Sequence, residues 1–313
     1  MAYTALTAFL DRNKIPPEGV VVTLVLGGGC PLDCGFCLLK QRRENLKEPV
    51  LLVNHYVAIL RWLFRENMLG GVALVGEEPL QVNVWPVARR ILRLSEDLGV
   101  PTALVTNGYN LWYFSRELAH FNKTKIMVSV DAVGEKHDQL RQTEGAFARI
   151  DGGLCQIDPV QRKNVFIATT LLGENIGDIP AVLDLAKERN IDHVSLSPLL
   201  TSSEQGPMKV DRTVMWRAME AIPGYLERAK ESGVSLHLSD EFSLLGPWEE
   251  RLRGIGIDIA APAKPGRLIR IDAHGRIENL RTLRDGGTLD VTLPHEVDEV
   301  ESMLEASEGV LFG

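Results

Sequence analysis

Between residues 20 and 197, short apolar runs alternate with amphipathic stretches through six cycles, and that alternation constrains the fold more than any other feature. The first run, VVVTLVL from Val20 to Leu26, is continuous and rich in β-branched residues, as in a strand buried on both faces. VALV at 72–75, TALVT at 102–106, KIMVSV at 125–130, VFIATT at 165–170 and HVSLS at 193–197 follow. Helical patterns run to about Leu69, from Trp85-Pro86 to about Leu98, and over 110–119, 145–156 and 178–190. Strands joined by helices in this way form a parallel sheet with right-handed crossovers.

An open doubly wound sheet gathers its ligand residues at one switch point. Here every strand carries polar residues at its C-terminal end: the cysteine loop after the first, Gly76-Glu77-Glu78-Pro79 after the second and Thr106-Asn107-Gly108 after the third. Ser129 and Asp131 follow the fourth, Thr169-Thr170 the fifth, and Ser195 and Ser197 the sixth. Barrels of β/α units build their sites at that end. The expected fold is therefore α/β, a partial (β/α)6 TIM-like barrel with a small C-terminal α+β cap.

The first of these loops is chemically the most specific. Three of the four cysteines fall within eight residues, as Cys30-Pro-Leu-Asp-Cys34-Gly-Phe-Cys37, directly after Gly27, Gly28 and Gly29. Structural zinc takes four ligands in a tetrahedral shell, and no further cysteine or histidine follows closely enough to complete one; the nearest histidine is His55. Three thiolates suit a 4Fe-4S cube, leaving one iron open to another ligand.

The C-x3-C-x2-C spacing, with Phe36 before its last cysteine, resembles the signature of the radical S-adenosylmethionine (radical SAM) superfamily. The resemblance covers roughly residues 18 to 200. It implies one 4Fe-4S cluster on Cys30, Cys34 and Cys37, with S-adenosylmethionine chelating the open iron and being cleaved to a 5'-deoxyadenosyl radical. Gly76, Glu78 and Pro79 are similar to the family's Gly-Gly-Glu-Pro motif, which would assign the cofactor's amino group to Glu78. Glu77 departs from that motif, standing where its second glycine would be, as a local or substrate-facing carboxylate. The same resemblance puts Phe36, Asn107, Ser129 and Asp131 near the cofactor and pairs Arg141 with its carboxylate, while His137 reads as structural.

Beyond residue 200 a loop, a helix over 211–231 and a strand, VSLHL, precede a stretch similar to the small hairpin of the SPASM/twitch extensions. Those extensions hold auxiliary clusters on cysteines, whereas the matching positions here read Pro262-Ala263 and Glu278-Asn279, and no cysteine lies beyond Cys155. The expected organisation is an N-terminal helical segment (1–17), the core (18–200) and a cluster-free extension (201–313) covering the barrel mouth. Cys155 reads as a small buried hydrophobe.

Composition limits the partners. A net charge of -8 without a long Lys/Arg run lacks the footprint of a nucleic-acid binder. The one basic knot, Lys40-Gln-Arg42-Arg43, follows the cysteine loop. The chain has no stretch of about 18 uncharged apolar residues to cross a membrane. Its opening lacks a signal-peptide pattern, so a cytoplasmic setting is expected. The expected function is hydrogen abstraction from a small-molecule biosynthetic substrate, with flavodoxin or ferredoxin as electron donor. Peptide or protein modification, or a non-catalytic iron-sulfur sensor or scaffold, are the alternatives.

Overall fold

Val20, Val22, Leu24 and Leu26 alternate with residues of opposite orientation along β1 (Val20–Leu26), and all four join one apolar core. The same parity recurs in β2 (Leu69–Gly76) through Val72 and Leu74, and in β3 (Thr102–Thr106) through Leu104. Ile126 and Val128 continue it in β4 (Thr124–Ser129), Val165 and Ile167 in β5 (Val165–Leu171), and Val194 and Leu196 in β6 (His193–Pro198). The same core takes Ile91 and Leu92 from the helix Trp85–Asp97, Leu118 from Leu111–Leu118, and Val182 and Leu183 from Ile179–Glu188. One sheet face thus meets the helices, while Ala73, Ala103, Met127, Ala168 and Ser195 fall on the other. A doubly wound sheet would bury both faces under helices, so this single helical layer is the outside of a partial barrel.

The computed structural model describes residues 6, 10, 18–41, 53–202, 207–240, 244–260 and 267–279. Most of the expected N-terminal helical segment lies outside them, as do Arg42, Arg43, Pro262, Ala263 and the chain beyond residue 279. Leu6 and Leu10 are helical and buried in the core.

The six core strands pair in sequence order, all parallel. The segment after residue 200 adds to both edges. Leu200–Thr201 (β7) and Lys209–Val210 (β8) form a small antiparallel pair, followed by the helix Arg212–Ser232. Then β9 (Ser235–Ser239) lies parallel to β6, and β10 (Asp258–Ala260) parallel to β9. At the opposite edge β11 (Leu268–Ile271) runs parallel to β1, and β12 (Ile277–Asn279) returns antiparallel to β11. The resulting ten-stranded sheet is open, running from β10 to β12.

Two local expectations change. The helix Val53–Arg65 stops short of Leu69, because Asn67 takes the left-handed conformation (φ 56°) and sends the chain into β2 early. Cys155, read as buried, is exposed on the helix Ala146–Gln156, whose inward positions are filled by Ile150, Gly153 and Leu154.

Candidate active site

The cysteine loop leaves β1 beside the end of β2. Gly76 has φ 132°, and a Cβ there would lie 2.1 Å from the Leu26 carbonyl oxygen, so the two strand ends touch only because this residue is glycine. Past it, Glu78 is 1% exposed. Its Oε1 accepts from the Leu80 amide (2.8 Å) and the Thr106 hydroxyl (2.5 Å), and its Oε2 from the Asn107 amide (2.7 Å). Burial pushes its carboxyl above the usual range, opposed by those three donors. The side chain expected to meet a cofactor ammonium accepts from three donors of its own chain, tying the loop after β2 to the end of β3. Pro79 is buried beside it.

Asn107 connects that tie to the cysteines. Its Oδ1 accepts from the Tyr109 amide at 2.8 Å, an Asx turn, and its Nδ2 donates to Cys30 Sγ at 3.4 Å. Cys30 is exposed, Cys37 half-buried and Cys34 buried among Leu32, Ala146, Phe36 and Tyr109.

On the other side stands Arg141, 8% exposed. Its Nε donates to Asp131 Oδ2 at 2.6 Å, its Nη1 to Cys34 Sγ at 3.8 Å, and its guanidinium carbon lies 5.2 Å from the centre of the Phe36 ring. Burial pushes the Cys34 thiol up, and Arg141 pulls it back down by charge and hydrogen bond. Arg141, expected to pair with the cofactor's carboxylate, is held by Asp131 within the chain. That aspartate is fully buried: its Oδ1 accepts from the Thr170 amide (2.8 Å), its carbonyl from Asn175 Nδ2 (2.8 Å), and its amide donates to His137 Nδ1 (3.1 Å). Burial lowers His137 to about 4, so its ring is neutral at pH 7.

These contacts unite Cys30, Cys34, Phe36, Asn107, Asp131 and Arg141, with Cys37 on the same loop. Ser129 sits half-buried at the end of β4, on the face away from the helices, level with Ala168 of β5. Lys40 of the basic knot pairs with Asp33 inside the cysteine loop. Asn175 and Asn83 carry no motif in the sequence. Asn175 holds the backbone of Asp131 and Thr170, and Asn83 Nδ2 donates to the Gly28 carbonyl at 2.9 Å. Asp131 and Gly28 lie 44 and 55 residues away, so no local pattern could have flagged those two bonds.

Among the described residues, no three His, Cys, Asp or Glu side chains converge to hold a single metal ion. A cluster, by contrast, offers a separate iron to each thiolate, and polar donors directed at two of the three sulfurs suit such ligands. The donor set therefore fits an iron-sulfur cluster.

Residues 24–186 match the sequence profile of the Radical SAM superfamily, just over half of the chain, and the protein belongs to that superfamily. Its cofactors are a 4Fe-4S cluster and S-adenosylmethionine. The chain is 25% identical over 140 residues to the Fe-coproporphyrin III synthase of Methanosarcina barkeri, covering 44% of this chain and 34% of that one. It is 24% identical over 225 residues to the GTP 3',8-cyclase of Mesorhizobium japonicum, covering 69% and 65%. The chain thus spans about a third of the first relative and less than two thirds of the second. In structure it resembles Streptococcus suis SuiB bound to its precursor peptide SuiA, with TM-score 0.63 and 17% identity over 95% of this chain and 67% of that one; this likeness concerns the fold. No helix among the described residues is long and apolar enough to cross a membrane.

Proposed function

We propose that the protein is a radical SAM enzyme acting on a small-molecule biosynthetic substrate, reduced by a flavodoxin or ferredoxin. The observation that carries this reading is the thiol loop, with Asn107 directed at Cys30 and Arg141 at Cys34. When bound, the cluster and S-adenosylmethionine supply a one-electron cleavage whose product radical takes a hydrogen atom from the substrate. Cys30, Cys34 and Cys37 would hold the cluster. Arg141, fixed by Asp131 and stacked on Phe36, places a cation beside Cys34 and favours its thiolate form. Glu78, bonded to Thr106 and Asn107, and Ser129 at the end of β4 would hold the cofactor's amino-acid and ribose end. The cyclase among the relatives, named for a small molecule, supports the substrate class.

Anaerobic reconstitution is expected to load about four irons and four sulfides per chain, the content of one cube. Cys34→Ala should lose the iron and Cys155→Ala should keep it. The reduced, loaded protein should release 5'-deoxyadenosine from S-adenosylmethionine. Homogeneous loading near eight irons would overturn the single-cluster reading, and loaded protein that cleaves nothing would be a sensor or scaffold instead.

A further inference from the structure

The carboxylate that breaks the Gly-Gly-Glu-Pro pattern is not turned toward open space. Glu77 Oε2 accepts from the Gly28 amide at 3.1 Å and from the Gly29 amide at 2.5 Å, across nearly fifty residues of sequence. Those glycines have φ 120° and 97°, a conformation that favours glycine, and their successive amides meet on one anion as in a backbone nest. The residue after them is Cys30. Two more bonds fasten the same turn to the loop after β2: the Glu77 amide donates to the Leu26 carbonyl at 3.2 Å, and Asn83 holds the Gly28 carbonyl. A Cβ on Gly28 would come within 2.4 Å of Val84 Cγ2, so no larger residue fits between the two loops.

We infer that Glu77 is a positioning residue for the cluster: its carboxylate clamps the Gly28-Gly29 turn that presents Cys30, and its charge holds the cluster's reduction potential down. The inference rests on the proposal that Cys30, Cys34 and Cys37 carry a cluster. Cluster potentials respond to nearby charge and to hydrogen bonding around the sulfurs. A carboxylate bonded to the residue before the first ligand opposes the arrival of an electron, whereas a glycine here would leave two amides without this acceptor and the turn without its clamp.

The test uses the full chain, reconstituted anaerobically, as wild type, Glu77→Gln and Glu77→Gly, titrated with dithionite and mediator dyes and read by absorbance and electron paramagnetic resonance. Glu77→Gln keeps a carbonyl oxygen for the amides and drops the charge. It is expected to load iron like wild type and to show about a tenfold higher reduced-to-oxidised ratio at a fixed ambient potential, the direction set by losing negative charge. That ratio corresponds to a shift of 59 mV for a one-electron couple. Glu77→Gly, lacking the clamp as well, should also lose iron to a chelator several-fold faster. Unchanged potentials and chelation rates in loaded variants would overturn the inference, as would a Glu77→Gln change confined to substrate KM. If Glu77→Gly fails to fold, the potential of Glu77→Gln decides alone. Wild-type protein that takes up no iron would overturn the cluster reading itself, a result distinct from either.

Discussion

His137 has no exposed surface, and its Nδ1 accepts the Asp131 amide, so the neutral ring carries its proton on Nε2. Burial holds its pKa near 4, against about 6.5 in an unfolded chain. Between those values the unfolded state binds the extra proton, so this residue's contribution is complete above pH 6.5 and is lost as pH falls toward 4. The interval of about 2.5 units corresponds to about 3 kcal/mol. Urea unfolding at pH 7.5 and pH 5 should show about 2 kcal/mol of this fall in wild type, since pH 5 lies about 1.5 units below the unfolded value, and a flatter profile in His137→Asn, whose amide oxygen can still accept from Asp131. Equal pH slopes in the two proteins would show that His137 titrates normally. At this scale the sequence was legible where chemistry is local. Three cysteines on one loop declare themselves by spacing, and the Asn107 turn by its Asn-Gly. The Asp131 to Arg141 pair was not, because each residue matched a cofactor-binding position and only the fold shows that they bind each other.

The loops after β1, β2 and β3 act as one unit. Glu77 joins the first two, Glu78 the last two, and Asn107 returns to Cys30. Glu78→Gln is therefore expected to destabilise the protein before it touches cofactor affinity, because an amide NH2 would face a backbone N–H in place of an acceptor. The expected cost is about 1 to 3 kcal/mol, the scale of a buried hydrogen-bonding group left unsatisfied. Thermal or urea unfolding of the cluster-free protein would measure it, and unchanged stability with weakened S-adenosylmethionine binding would show that the carboxylate serves the cofactor instead. The strand pattern made the elements readable, since six apolar runs became six adjacent parallel strands. Their joints were not readable, because a hydrogen bond between residues 29 and 77 leaves no mark on either local sequence.

Across the whole molecule, residues beyond 200 complete both edges of the sheet, with β9 against β6 and β11 against β1. A chain ended at residue 200 would leave both strands with open backbone, and exposed sheet edges invite pairing between molecules. Such a truncation is expected to elute as aggregate on size exclusion, whereas a soluble monomer with cooperative unfolding would show that the (β/α)6 portion stands alone. The edge placement was hidden in the sequence, since a short hairpin such as LIRIDAHGRIEN reads the same wherever it docks. The pairing of β11 with β1 also orders events at the ribosome. The strand that leads into the cysteine loop is made well before one of its neighbours, which is not synthesised until residues 268–271. Contacts so distant in sequence slow folding and leave intermediates exposed to misassembly. The nascent chain thus carries its cysteine loop on an unfinished sheet until residues 268–271 are made, and iron delivered after that point would meet a better-formed site than iron delivered before it.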